Sequence, residues 1–135
     1  MSEFRRIALQ DLEEALFNMQ HKRYRSAVFF FQQFAEKSAK ALLEKKDSES
    51  RLLKSHAAES ILAAYDEQHK VSDLGDKARY LTSFYFNTRY PGDNYAEVVE
   101  EQVIKAHKFA MELDDYFVSE LELLNQQVNA EKIEI

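Results

Sequence analysis

Cysteine and tryptophan are absent from this 135-residue chain, proline occurs once and glycine twice. Without cysteine there is no disulfide, no thiol nucleophile and no Cys-ligated zinc. Two glycines cannot build a phosphate-cradling loop, and no G-x-S-x-G nucleophile motif is present. An all-β sandwich or barrel of this length consumes glycine and proline in tight turns, and here only Gly75, Pro91 and Gly92 are available. Also missing is any run of ~20 apolar residues long enough to span a membrane. The opening residues carry Glu3, Asp11, Glu13 and Glu14 where a signal peptide requires an apolar core, so a soluble, cytoplasmic protein is expected.

What remains is 45% apolar and 31% charged, a globular balance. The net charge of −6 argues against sequence-blind DNA binding. It is unevenly spread: residues 1–54 hold 11 basic against 8 acidic residues, the remainder 7 against 16. The basic half leaves room for a local anion site.

Apolar spacing is helical nearly throughout. Phe4, Ile7, Ala8, Leu12, Ala15, Leu16 and Met19 define a first amphipathic helix over 2–19, followed by a polar His21-Lys22-Arg23 connection. The spacing predicts a second helix over 24–46, with Ala27, Phe30, Phe31, Phe34, Ala35, Ser38, Ala41 and Leu42 inward. Phe29 falls on the opposite side with Gln33, Glu36 and Lys40, and Leu43 edges towards it, which marks Phe29 and Leu43 as candidate interface residues. A loop over 46–54 precedes a third helix over 55–67, capped by Ser55, and a fourth over 73–89. A fifth helix over 94–126, capped by Asn94 with Glu97, carries the stripe Tyr95, Val99, Val103, Ala106, Ala110, Leu113, Phe117, Leu121 and Leu124. Residues 1–126 thus read as a single all-α, up-and-down bundle of four to five helices, with 127–135 a frayed tail.

Metal chemistry finds no support. Di-iron bundles repeat a Glu-x-x-His pair on two helices, and no histidine here has Glu three places before it. His56-x-x-Glu59 is reversed and unrepeated, and His107 flanks an apolar stripe. Two segments hold the residue types of an anion site. The run His21-Lys22-Arg23-Tyr24-Arg25 is the densest basic cluster. Thr88-Arg89-Tyr90-Pro91-Gly92-Asp93-Asn94-Tyr95 sets an arginine at a sharp corner among Tyr85, Tyr90 and Tyr95, where guanidinium can grip phosphate and rings can stack on a base.

The string Phe31-Gln32-Gln33-Phe34-Ala35-Glu36-Lys37-Ser38-Ala39-Lys40-Ala41-Leu42-Leu43, the Ser55-His56 pair and Thr88-Arg89-Tyr90-Pro91, in that order, resemble the HEPN-domain family over residues 3–120. The resemblance implies a helical bundle that forms homodimers and binds nucleotide or RNA. It also implies a minimal nucleotidyltransferase as protein partner, often in a toxin–antitoxin pair. Many members are metal-independent ribonucleases with an Arg-x(4–6)-His motif. Here Arg89 matches the arginine, but the histidine positions hold Asn94, Tyr95 and Ala96, which are no proton shuttles near neutral pH. Arg89, Tyr90, Asn94 and Tyr95 are therefore expected to bind ligand without catalysis or cofactor, with Glu36, Lys37, Lys40 and His56 as secondary candidates. The alternatives are a ribonuclease with an atypical Arg-x4-Asn site and a pure interaction module.

Overall fold

The computed structural model describes residues 2–67, 73–85 and 97–133, without the side chains of 128–133. Five α-helices account for most of it: α1 (Glu3–Gln20), α2 (Tyr24–Lys46), α3 (Ala58–Tyr65), α4 (Asp73–Thr82) and α5 (Glu100–Ile133), with a 3-10 turn at Arg51–Lys54. The all-α expectation holds.

α2 is the central element and packs against α1, α3, α4 and α5. Its apolar stripe fills the core as the spacing predicts: Phe31, Phe34, Ala35 and Leu42 are fully buried. They meet Ala8 and Ala15 of α1, Ile61 and Leu62 of α3, Ala78 and Leu81 of α4, and Val103, Ala110, Leu113 and Phe117 of α5. Phe34 and Phe117 meet edge to face, with ring centroids 6.0 Å apart. Enclosure on several sides has a consequence that one-sided periodicity misses. Gln32, Glu36 and Lys40, polar residues of the same helix outside the predicted stripe, are buried as well as Ser38 within it. Leu43 is only 2% exposed and belongs to the core, so its assignment to an outer interface is corrected. Phe29 is partly buried and meets the Phe30 ring edge-on at 5.1 Å.

Several helix boundaries differ from the spacing. α4 ends at Thr82, with a turn at Ser83, where the spacing carries the helix to 89; residues 86–89 lie outside the described residues. α3 begins at Ala58, with no side-chain cap at Ala57. Ser55 instead closes a local turn, its hydroxyl accepting from the Ala57 N–H. α5 starts at Glu100 rather than 94: Gln102 reaches back to accept from the Val99 N–H, half of a capping box, and Val99 is exposed. Glu97 thus precedes the helix, and the Asn94 cap lies outside the described residues. At its other end α5 runs to Ile133, through Gln126, Gln127, Ala130 and Glu131, good helix formers with no glycine or proline among them.

A buried clamp ties three helices together. Arg5 of α1 donates to the Ser38 hydroxyl of α2 at 2.8 Å and to Asp114 of α5 at 2.7 Å. Its guanidinium also lies 5.9 Å from the Phe34 ring centroid.

Candidate anion-binding site

The secondary candidates from the sequence converge. Glu36 has no exposed surface, and its Oε2 accepts from Lys37 Nζ at 2.9 Å and Lys40 Nζ at 3.2 Å. Its Oε1 accepts from Gln32 Nε2 at 3.2 Å and stands 3.2 Å from His56 Nδ1. Helical spacing brings Gln32, Glu36 and Lys40 into one ladder at i, i+4 and i+8, and Lys37 closes in from the next position. Gln32 also donates to the His56 carbonyl at 3.3 Å, which ties the entry of α3 to α2.

His56 is the member of the cluster that reaches solvent, its side chain 52% exposed. A carboxylate oxygen only accepts, so the contact with Glu36 places the proton on Nδ1. The other face of the imidazole is fixed too: the Tyr85 ring stacks on it, centroids 4.4 Å apart and planes inclined by 14°. α3 is held at its entry by Thr82 of α4, whose hydroxyl accepts from the Ala58 N–H at 3.2 Å and donates to Glu59 at 2.7 Å.

Electrostatics follow from burial and neighbours. Burial raises the Glu36 carboxyl, but the hydrogen bond and charge of Lys37, with Lys40 and Gln32, outweigh it and leave the group below its ordinary value. Asp11 of α1 belongs to the same field. Burial pushes it up to about 6; the charge of Lys37 works against that shift, and those of Glu36 and Glu14 reinforce it. Two ammonium groups share the buried Glu36 carboxylate, with Asp11 also in the field of Lys37, and Lys37, 22% exposed, is the one nearer water.

The primary candidates Arg89, Tyr90, Asn94 and Tyr95 lie in 86–96, outside the described residues. Tyr85, the last described residue before that segment, is the one stacked on His56. At the far end, Glu97 and Val98 share a cavity of about 340 Å³ with Lys22, Arg23, Tyr24 and Arg25. The basic run singled out in the sequence therefore borders the chain where it emerges from 86–96. His107 lies against Phe31, centroids 5.7 Å apart, and away from these contacts. Among the described residues no group of three His, Asp or Glu side chains is placed to hold a metal ion, and no helix is long and apolar enough to cross a membrane.

Sequence reasoning missed Arg5 and Gln32 as partners in buried polar contacts, and Asp11 as a half-buried carboxyl in the field of Lys37 and Glu36. The signal for Arg5 was present, since it falls in register with Ala8, Leu12 and Ala15 on the inward side of α1.

Compared with known proteins, residues 1–121 match the family model described as HEPN domain. No curated protein and no solved structure matches the chain.

Proposed function

The chain belongs to the HEPN-domain family, and from that premise we propose that it binds a nucleotide or similar anionic ligand beside His56. The observation that carries this reading is the fixing of His56 between the Glu36 carboxylate and the Tyr85 ring, with Lys37 on the same carboxylate. A half-exposed imidazole held on two sides, beside the partly exposed Lys37 ammonium, suits an anionic group. Arg89 follows Tyr85 by four residues in the sequence, with Tyr90, Asn94 and Tyr95 close behind. Arg89 supplies a bidentate donor, and the tyrosines supply surfaces for a base.

In this reading the protein is a homodimer, Phe29 contributes to the interface, and a minimal nucleotidyltransferase is its partner in a toxin–antitoxin-like pair. Family membership supports the homodimer and the nucleotidyltransferase partner, and the place of Phe29 opposite the apolar stripe of α2 supports its role. Calorimetric titration with a panel of nucleotides should give saturable binding that Arg89→Ala abolishes in a folded protein. Heat unchanged by Arg89→Ala, or none at all, would contradict the ligand assignment. Phe29→Asp should shift the dimer to monomer in sedimentation velocity, and an unchanged oligomer would remove Phe29 from the interface.

One observation favours a second reading, metal-independent RNA cleavage. His56 with Nδ1 on a buried carboxylate has the orientation of a general base, with Nε2 available to accept a proton from a ribose 2′-hydroxyl. That chemistry requires RNA cleavage in EDTA, lost in both His56→Ala and Arg89→Ala. Intact RNA under those conditions leaves binding alone.

A further inference from the structure

The Arg5 clamp borders a cavity to which the HEPN reading assigns no role. About 390 Å³ in volume, it lies where the start of α1 meets the end of α2 and the late turns of α5. Arg5 and Lys45 line it together with an apolar wall of Leu9, Val118 and Leu121, and Glu122 stands at the same opening. None of these residues belongs to the Glu36–His56 cluster.

Arg5 makes this cavity more than a surface depression. Its side chain is 7% exposed and already held in place by Ser38 and Asp114. Those bonds use two of the five N–H donors of a guanidinium, whose fixed fork suits a carboxylate. A cation immobilised by neighbours loses little entropy when it takes a ligand. Lys45 carries a second positive charge at the rim, where it touches Asn125 at 3.4 Å. The carboxylates present are accounted for: Asp114 is occupied with Arg5, and Glu122 is exposed, so water and salt screen its repulsion. Beside the polar end, Val118 is 42% exposed, an apolar wall at a position that water otherwise covers. Donors at one end and aliphatic side chains along the other describe an amphipathic anion.

We propose that this cavity binds a small monocarboxylic acid with an apolar tail, its carboxylate on Arg5 and Lys45 and its tail along Leu9, Val118 and Leu121. The inference is independent of nucleotide binding.

The test uses octanoate as probe, titrated calorimetrically into the whole chain, with octan-1-ol and butyrate alongside. Octanoate should bind saturably and more tightly than either control, since the alcohol lacks the charge and butyrate most of the tail. Lys45→Glu and Val118→Asp, both at exposed positions where the fold tolerates change, should each weaken octanoate by about tenfold or more. Arg5→Lys, which keeps the charge but not the fork, should weaken it as well if the variant folds. Arg89→Ala should leave octanoate binding unchanged, which separates this site from the nucleotide reading. No saturable binding by the wild type, equal binding of octanol, or affinity indifferent to both Lys45→Glu and Val118→Asp would overturn the proposal.

Discussion

Glu36 is a carboxylate with no exposed surface, held by two ammonium groups, an amide and an imidazole. Taking charges out of water costs several kcal/mol per ion, and mutual attraction offsets this only where the remaining hydrogen-bonding capacity is filled. Both oxygens of Glu36 meet that condition. Glu36→Gln would leave Lys40, 7% exposed, as a buried cation without its counter-ion. A loss of about 3–5 kcal/mol in urea denaturation is expected. Glu36→Gln with Lys40→Met should recover much of it, because the stranded charge is removed along with its partner. Asp11 gives a pH signature of the opposite sign. Its folded value, raised from 3.8 to about 6, means that the native state holds the proton more tightly than the unfolded chain. Stability therefore falls as pH rises from about 4 to about 6. Glu36 is lowered, so its contribution is present above about 4.5 and lost as pH falls below that. Thermal melts should therefore show stability falling on both sides: as pH rises from about 4 to about 6 through Asp11, and as pH drops below about 4.5 through Glu36. Asp11→Asn should abolish the decline between about pH 4 and about pH 6 and raise stability at pH 7 by on the order of 1 kcal/mol, after allowance for solvent screening at a half-buried site.

The element scale explains which features were legible in the sequence. α2 was predicted over 24–46 and runs over those residues, because a broad apolar stripe bounded by polar connections has no competing period. The polar side of α2 was misread for a physical reason: a helix enclosed by four others buries residues that one-sided amphipathicity assigns to solvent. Glu36, Lys37, Lys40 and His56 were legible as a family string, yet their meeting at one carboxylate depends on the packing of α3 against α2, which no local pattern encodes. The connection between α1 and α2 was legible at His21-Lys22-Arg23, but its backbone conformation was not. Lys22 takes φ 59, with its N–H on the Met19 carbonyl and the Arg23 N–H on the Asn18 carbonyl. That is a Schellman ending with lysine where glycine is usual. Lys22→Gly should stabilise the protein by about 1 kcal/mol, since the left-handed conformation costs a residue with Cβ about that much. Chemical denaturation reads this directly, and an unchanged midpoint would show that the turn is not strained.

At the scale of the molecule, polar groups are gathered at separate places around one apolar core. The Arg5–Ser38–Asp114 clamp joins α1, α2 and α5, whereas the Glu36 cluster joins α2 to the entry of α3 and, through Tyr85, to the chain that leads to Arg89. Family membership is carried by residues 1–121, a span that contains both arrangements. The central claim is that the Glu36–His56 edge receives an anionic nucleotide. The most direct measurement is a nucleotide titration followed by backbone and imidazole NMR shifts of the whole chain. The account predicts saturable shifts at Lys37, His56, Tyr85 and Arg89 with a common dissociation constant. Shifts confined to other surfaces, or none at saturating nucleotide, would contradict it.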